Sequence, residues 1–389
     1  MNDKAQQSRG VVRSLIMRIL MIISEAPPIK SGVSRVAEKL SDGLKNLGYS
    51  IDLLSLKDIP RFEWGEMRLS SMPLKLSSIK KRMHNYDIVN LHGPVPTFSD
   101  VFLLSGLRGL NHKRPRLVYT YHAPVDLKNI LLQPLIWSYN KSQEWLANLA
   151  DHVVVTTHSY GLRLSRHVPI HKLSVIPWGV DYTRFSTPIQ KEGPYTVVYL
   201  GQIRPYKGLP ILLEASQGMQ GIRLWVIGNG HSADTYRRQA FQMGIHDVTF
   251  WGQIPDEDMA RLVKKADVLV LPSISRSEAF GIALLEGMAA GLVPVASHLP
   301  GVADLIGNEG ITFPPGNAQA LRDVLIRLRD DVAWRAHLAG LAQAKARLYS
   351  WERAVFGYDR IYQNLLAKPL GLGDLIPADI RSKSQIQYG

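Results

Sequence analysis

Two short segments of the chain combine charged residues with glycines at short spacing. The first has Glu278 and Glu286, which are separated by seven residues, with Gly281 between them where a helix is predicted to begin. The second is a glycine-bracketed loop that carries Arg204 and Lys207 and follows a predicted strand. Carboxylates accept hydrogen bonds from sugar hydroxyls, and an Arg and a Lys bind phosphate oxygens. Together the segments indicate a nucleotide-sugar site.

These segments need a scaffold, and both halves of the chain alternate short apolar strands with helical stretches. That pattern is typical of α/β proteins with parallel sheets covered by helices. The strands predicted in the first half are Arg18–Ser24, Ser50–Leu56, Asp87–His92, Arg116–Tyr121 and His152–Thr156. Those predicted in the second half are Tyr195–Leu200, Gly221–Ile227, Val248–Trp251, Val268–Leu271 and Val293–Ala296. Ligands of such doubly wound sheets bind beyond the carboxyl ends of the strands, which is where the charged loops fall.

The chain is therefore predicted to form two Rossmann-like domains that face each other across a cleft. We expect an N-terminal extension at 1–16, a first domain at 17–180 and a second at 181–349. A helix at 350–366 carries an aromatic stripe that indicates core packing, formed by Trp351, Phe356, Tyr358 and Tyr362. Residues 367–389 lose periodicity and are predicted to be a surface tail.

Composition narrows the class of protein. The 389 residues are 46% apolar and include no cysteine, which excludes disulfide and thiolate chemistry and is compatible with a cytoplasmic location. No apolar run reaches the roughly 18 residues of a spanning helix. Val11–Ile23 resembles a signal sequence superficially, but Arg13 and Arg18 interrupt it, so we interpret it as a leader into a buried first strand.

The net charge of +13 is uneven, with +11 on residues 1–190 and +2 on residues 191–389. A basic half suggests an anionic partner such as a membrane surface or an acidic acceptor, and general solubility charge is the alternative. The contact points would be Lys80–Arg82 and Lys113–Arg116. Without an aromatic-basic recognition motif, we expect no nucleic acid partner.

The sequence around the charged segments is more specific than their spacing. It resembles the retaining family 4 glycosyltransferases of the GT-B type, which carry a Glu-x7-Glu motif, a Gly-x-x-Arg-x-x-Lys-Gly loop and a Pro-x-Gly-Val-Asp linker. Here these are Glu278 to Glu286, Gly201 to Gly208 and Pro177 to Asp181. The resemblance covers roughly residues 17–366. It implies that the helix at 350–366 crosses back onto the first domain.

The resemblance assigns roles on the donor side of the cleft. Arg204 and Lys207 hold the diphosphate, Glu286 the ribose hydroxyls, and Glu278 hydroxyls of the transferred sugar. Five further positions take part through their backbone or by lining the site: Gly201, Gly228, Phe280, Gly281 and Ile282. Ile254 falls where the family's base-contacting backbone lies. The residues alone leave alternatives open. Glu286 could be an ordinary helix carboxylate that is paired with a Lys or Arg, and the two loop cations could be ordinary surface charges.

Two features of the first half complete the implied site. Gly32 opens a helix after the first strand, where the family has Gly-Gly with amides facing the donor phosphates, and Ser31 replaces the first glycine. His122 follows a strand where the family has a His directed at the donor sugar, and a satisfied strand-end histidine is the alternative. His92 is a second candidate, on the acceptor side. Trp178 replaces an Asn that is common in the family. The sequence alone does not show what this replacement changes.

Asp256-Glu-Asp258 matches the Asp-x-Asp pattern of metal-dependent glycosyltransferases. However, it precedes a predicted helix at Met259–Lys265, so Asp256 is interpreted as its cap, with acidic residues in the first turn. We therefore expect no metal and no cofactor, since the nucleotide sugar is a substrate.

The sequence thus predicts a retaining hexosyltransferase that uses GDP-mannose or a UDP-sugar. The acceptor is a glycan or lipid-linked precursor of cell-surface polysaccharide or glycolipid, met at the inner membrane face. The alternative function is a catalytically inactive nucleotide-binding or regulatory protein on the same scaffold. A calorimetric nucleotide titration would show whether the donor site is intact or degenerate.

Overall fold

The computed structural model describes residues 17–25, 32–55, 61–64, 67–70, 72–105, 114–126, 130–187, 189, 191 and 193–367. The predicted N-terminal extension, Ser31, Lys113 and almost all of the predicted tail lie outside these residues.

The first half forms a parallel six-stranded sheet in the order β2-β1-β5-β6-β7-β8. Its strands are β1 (Arg18–Ile23), β2 (Ser50–Ser55), β5 (Ile88–Gly93), β6 (Arg116–Tyr121), β7 (His152–Val155) and β8 (Leu173–Val175). A separate antiparallel pair consists of β3 (Arg61–Trp64) and β4 (Met67–Ser70). The helices of this half are α1 (Gly32–Asn46), α2 (Met72–Met83), α3 (Ser99–Ser105), α4 (Gln133–Leu146) and α5 (His158–Leu164).

The second half forms another parallel six-stranded sheet, in the order β11-β10-β9-β12-β13-β14. Its strands are β9 (Tyr195–Leu200), β10 (Ile222–Ile227), β11 (Val248–Gly252), β12 (Val268–Leu271), β13 (Val293–Ser297) and β14 (Ile311–Phe313). The helices in and around it are α6 (Tyr182–Ser186), α7 (Leu209–Ser216), α8 (Ala233–Gln242), α9 (Asp256–Lys265), α10 (Ile282–Ala289), α11 (Pro300–Ile306), α12 (Ala318–Asp330), α13 (Val332–Ala346) and α14 (Trp351–Leu366).

The central strands are mostly apolar and are buried along almost their whole length because helices cover both faces of each sheet. Every residue of β9 and of β12 is buried, and so is Ile19–Ile23 of β1, as the leader interpretation requires. The order of the strands reverses between β1 and β5 in one sheet and between β9 and β12 in the other. Such switch points open crevices beyond the carboxyl ends of the strands.

The ten predicted strands are all present, with bounds shifted by no more than one residue at either end. The prediction missed β8, β14 and the β3–β4 pair. β8 and β14 have three residues each and lie at sheet edges, so neither is long enough to show a pattern of its own.

The last helix, α14, returns to the first sheet. The Tyr358 hydroxyl lies 2.9 Å from Thr120 Oγ1, and Asn90 Nδ2 donates to the Tyr362 hydroxyl at 2.9 Å. Trp351 is buried as well, but Phe356 is 55% exposed, so the prediction that all four aromatic residues pack in the core was wrong for Phe356. The reason is its position on α14, where the buried face runs through Trp351, Tyr358 and Tyr362.

Within the described part of the chain, no helix is both long and apolar enough to cross a membrane.

Candidate active site

A cleft of about 730 Å3 lies between the two sheets and is lined from both halves of the chain. The first half contributes Gly32, Arg35, His122 and Trp178, among others. The second half contributes the loops that follow its central strands, and these carry most of the predicted site: Gly201, Arg204, Lys207, Gly228, Ile254, Glu278, Phe280, Gly281, Ile282 and Glu286. The cleft therefore brings together every predicted donor-side residue that the structure describes.

Close backbone packing aligns the loops that follow β9 and β12. Gly208 has φ 70° and caps α7, and a Cβ built on it would lie 1.9 Å from the carbonyl oxygen of Pro272. Only glycine allows this approach. The contact holds Lys207, which precedes Gly208, beside Glu278, which lies six residues beyond Pro272.

Lys207 and Glu278 form an ion pair inside the cleft. Lys207 Nζ lies 2.5 Å from Glu278 Oε2, and the Ser273 hydroxyl donates to the same oxygen at 3.1 Å. Burial by itself would lower the pKa of Lys207, but the negative charge of Glu278, the hydrogen bond to it and the nearby Tyr206 together outweigh burial, so the pKa of Lys207 is raised above its ordinary value. Lys207 is thus a permanent cation whose position is fixed by a carboxylate and a serine. Sequence reasoning missed Ser273.

Arg204 is the second loop cation, and unlike Lys207 it has no counter-ion among the residues that the structure describes. Its side chain lines the cleft, and its guanidinium makes no hydrogen bond or ion pair with any described residue. Since five N–H donors on a rigid fork face a polar cleft, the group is suited to bind an oxyanion in bidentate fashion.

Glu286 lies on α10, is 6% exposed and is paired with Arg35 of α1 across the cleft. The negative charge of Glu286 raises the pKa of Arg35 above its ordinary value. Burial raises the pKa of Glu286, and the charge of Arg35 opposes this rise. The alternative left open by the sequence, a helix carboxylate paired with a cation, is thus realised in the structure. Sequence reasoning missed Arg35, although it lies in the first turn of the helix that Gly32 opens.

The N-terminus of α10 presents its backbone to the cleft. Gly281 caps the helix with φ 84°, and the side chain of Phe280 is buried at 3% exposure, against Tyr349. What Phe280 and Gly281 offer a ligand is therefore main-chain N–H groups at the positive end of a helix. Ile282 adds a half-buried apolar side chain.

The remaining glycines keep the floor of the cleft open. Gly228 has φ 134°, and a Cβ on it would lie 1.9 Å from the carbonyl oxygen of Gly201, so the loops after β9 and β10 touch backbone to backbone. Gly32 begins α1, and its nearest neighbour at the Cβ position is Ile282 Cδ1, at 4.0 Å. Ile254 is half-buried and lines the cleft beyond β11.

His122 lines the cleft from the side of the first sheet and is backed by His92. Its Nε2 lies 3.1 Å from His92 Nδ1. Burial lowers the pKa of His122 to about 4 and that of His92 well below its ordinary value, the latter with a contribution from His122. The pair is therefore neutral near pH 7. His92 is 1% exposed and is not among the residues that line the cleft, so the prediction that it lines the acceptor side was wrong: its ring is buried behind His122.

Trp178 packs against a histidine ring and a tyrosine ring, neither of which the sequence had indicated as its neighbour. It is 2% exposed, lies 5.7 Å from the ring of His122 and is stacked on Tyr358 of α14 at 6.3 Å. The tryptophan therefore connects the histidine of the cleft to the helix that returns from the second half.

The Asp256-x-Asp258 pattern is used for helix formation and ion pairing. Asp256 is the first residue of α9, and Pro255 occupies the cap position, so the prediction that Asp256 is the cap was off by one residue. Asp258 pairs with Arg261 at 3.0 Å. Among the described residues, no three His, Cys, Asp or Glu side chains gather as metal ligands would.

Two facing Rossmann-like sheets with a polar cleft between their carboxyl ends define the GT-B class of glycosyltransferases. HepE of Anabaena, solved in complex with UDP and glucose, superposes with a TM-score of 0.68 at 18% identity, covering 90% of this chain and 100% of that one. Residues 30–184 match the family described as Glycosyltransferase Family 4, and residues 183–343 match Glycosyl transferases group 1. The chain belongs to the family 4 glycosyltransferases and is a hexosyltransferase.

Two relatives in sequence are named for the sugar that they transfer. The chain is 29% identical over 301 residues to D-rhamnosyltransferase WbpZ of Pseudomonas aeruginosa. This alignment covers 72% of this chain and 75% of that protein. It is 28% identical over 345 residues to O-antigen chain mannosyltransferase C of Escherichia coli. This alignment covers 80% of this chain and 88% of that protein.

Proposed function

We propose that the protein transfers a hexose, with retention of anomeric configuration, from GDP-mannose or a UDP-sugar to a glycan or lipid-linked acceptor. The observation that carries this proposal is the placement of Arg204 and Lys207 beside the N-terminus of α10 and Glu286 in one cleft. Cations and helix amides fit a diphosphate, and carboxylates fit sugar hydroxyls. The relatives named for mannosyl and rhamnosyl transfer support the hexose, and the UDP complex of HepE supports the nucleotide.

In the proposed donor complex, Arg204 and Lys207 bind the diphosphate, and Glu286 accepts hydrogen bonds from the ribose hydroxyls. Glu278 holds hydroxyls of the transferred sugar while Lys207 keeps its carboxylate in place. His122 approaches the donor sugar from the first half as a neutral imidazole, which donates or accepts one hydrogen bond without adding charge.

The chemical step follows from charge placement. The acceptor hydroxyl attacks the anomeric carbon from the face that the diphosphate leaves, the bond between that carbon and the phosphate oxygen breaks, and the departing phosphate takes the hydroxyl proton. Negative charge grows on the diphosphate during this step, so two fixed cations stabilise the transition state more than the ground state. Neither Glu278 nor Glu286 acts as a nucleophile, and no metal takes part.

Calorimetric titration with UDP, GDP, ADP and dTDP in excess EDTA tests the donor site without knowledge of the acceptor. We expect micromolar binding of one nucleotide, and an Arg204→Ala, Lys207→Ala double variant that has lost it. Arg204→Ala alone is the cleaner variant, because Arg204 supports no ion pair within the described structure, whereas removing Lys207 also deprives Glu278 of its partner. Failure of the wild-type protein to bind any of the four would favour the inactive alternative.

On the acceptor side, the charge of the first half supports a partner at an anionic membrane face. Of the predicted contact points, Lys81 and Arg82 of α2 are exposed. Arg114 and Arg116 both pair with the single carboxylate of Asp151, at 2.9 and 3.6 Å, so one of their two positive charges is offset. The basic stretch at the end of α2 is the stronger of the two predicted contacts.

A further inference from the structure

Helix α4 exposes a face of large apolar side chains. Trp137 and Trp145 are 66% and 59% exposed, and Leu135 is 62% exposed on the same helix. Leu131 and Leu149, in the short 3-10 turns at either end, are 88% and 45% exposed. We call these five residues the α4 apolar face.

The spacing of these residues places the α4 apolar face on one side of the helix, as a broad arc rather than a narrow stripe. At about 100° per residue, Leu131, Leu135, Trp145 and Leu149 lie within about 80° of one another, and Trp137 lies at the edge of the arc, about 80° from Trp145. The opposite side of α4 already packs in the interior through Ile136, Asn140, Gln143 and Leu146. The apolar face is therefore additional to the side that the fold needs, and patches of this kind mark interaction sites.

The charges around the α4 apolar face are positive. Lys141 lies between Trp137 and Trp145, one turn from each, and its side chain is 41% exposed. The one carboxylate on α4, Glu144, is fully buried and paired with Arg163 and Lys141. Lys172 reaches the carbonyl oxygens of Asn148 and Ala150, beside the far end of the face. Exposed tryptophans flanked by cations are the composition of segments that lie in the interface of an anionic bilayer.

The α4 apolar face is also connected to the cleft. Asn140 Oδ1 accepts from Val125 N at 2.9 Å, and Asn140 Nδ2 donates to Val125 O at 2.7 Å. These bonds attach α4 to the segment that follows His122. In the same segment, Asp126 accepts a hydrogen bond from the backbone N–H of Arg276, in the loop that carries Glu278. Helix α4 is thereby joined to the mouth of the cleft through the side opposite its apolar face.

We propose that the α4 apolar face docks into the headgroup region of a membrane that contains anionic lipids, with the mouth of the cleft held at the bilayer surface. The proposal rests on the proposed function, because a lipid-linked acceptor must be met at such a surface. In this proposal α4 is the docking element. Insertion of its apolar side chains is the main driving force, and attraction between Lys141, Lys172 and the anionic headgroups adds a contribution that salt weakens.

The test is flotation with vesicles of phosphatidylcholine and phosphatidylglycerol. We expect wild-type protein to float with the vesicles, and Trp137→Ser, Trp145→Ser to lower the partition coefficient by about tenfold or more. The matched control is Phe241→Ser on α8, which removes an 86% exposed aromatic side chain from the other half and is expected to change nothing. Leu135→Ser, on the same face, gives an independent second variant.

Three results would overturn the inference: no flotation of the wild type, equal flotation of all variants, or loss of flotation in Phe241→Ser as well. A wild-type dimer in sedimentation velocity that Trp137→Ser, Trp145→Ser converts to a monomer would assign the face to a second copy instead. Calorimetry of the same variants separates the two proposals. Unchanged nucleotide affinity with lost flotation supports the docking role, whereas a wild type that floats but binds no nucleotide contradicts only the proposed function.

Discussion

The carboxylate predicted to hold the ribose, Glu286, contacts an arginine from the opposite half of the molecule. Arg35 and Glu286 are 251 residues apart in the chain, and their pairing exists because the helix after β1 and the helix after β12 both begin at the same cleft. A buried carboxylate without a counter-charge tends to bind a proton. The positive charge of Arg35 therefore favours the ionised form of Glu286, which accepts the stronger hydrogen bonds of a charged group.

Replacing Arg35 by Ala should make nucleotide binding sensitive to acid. Burial already raises the pKa of Glu286, and removing the opposing positive charge raises it further. As the pH falls from neutrality, the variant should therefore lose affinity at a higher pH than the wild type, by about tenfold once Glu286 is protonated. The measurement is the calorimetric Kd of the bound nucleotide across pH. Arg35→Lys, which keeps the charge, should follow the wild type, and coincident profiles for all three proteins would contradict this role.

The sequence predicted the positions of cleft residues that lie within a few positions of a recognisable strand. Arg204, Lys207 and Glu278 follow strands that are evident in the sequence, and they lie where those strands end. The partners Arg35 and Ser273 were not predictable in the same way. One comes from the other half of the molecule, and the other is a common loop residue whose hydroxyl acquires a partner only when the loops meet.

At the scale of elements, the site depends on how closely two loops approach. The loops after β9 and β12 meet where Gly208 lies against the carbonyl of Pro272, at the point where the order of the strands reverses. The strand pattern alone predicted the crevice. It did not predict the contact between loops, because that distance depends on a glycine conformation, φ 70°, which the chain adopts in context.

Gly208→Ala should disturb the site far more than Gly218→Ala. Both glycines have nearly the same φ, 70° and 67°, but a Cβ on Gly218 has nothing within 4 Å. Gly218→Ala should cost only the left-handed backbone conformation, about 1–2 kcal/mol of the free energy of unfolding. Gly208→Ala must also separate the two loops, so we expect about 3 kcal/mol or more and weaker nucleotide binding. Urea denaturation and calorimetry of both variants provide the comparison. Equal losses in the two variants would show that the close approach contributes nothing.

At the scale of the whole molecule, α14 makes the two halves share one interior. Tyr358 and Tyr362 bond to residues of the first sheet, and Trp351 belongs to the same apolar cluster as Val198 of β9 and Ile19 of β1. The side of the cleft that carries His122 is supported by this helix through Trp178. The sequence indicated an aromatic helix here, but only its resemblance to a family implied where the helix goes.

Folding partly buries two histidines, His122 in the cleft and His152 outside it, and this should make the molecule sensitive to acid. Burial lowers the pKa of His122 and of His152 to about 4 each, whereas an unfolded histidine titrates near 6.5. Between these values the unfolded chain binds more protons than the folded one. The free energy of unfolding should therefore be at its plateau above about pH 6.5 and fall as the pH drops towards about 4, by on the order of 1–3 kcal/mol per histidine.

Urea denaturation at a series of pH values measures this fall, and His152→Gln isolates one contribution to it. His152 lies outside the cleft, where its Nε2 contacts the Ser174 hydroxyl at 2.9 Å, and a glutamine amide retains hydrogen bonding without a titration. Carboxylates also titrate at the acid end, so the difference between wild type and variant, rather than the total fall, reports on this histidine. The variant should lose less stability than the wild type across the window, and its nucleotide affinity at neutral pH should be unchanged. Parallel curves would mean that His152 is protonated in the folded state as readily as in the unfolded chain, against the lowering of its pKa by burial.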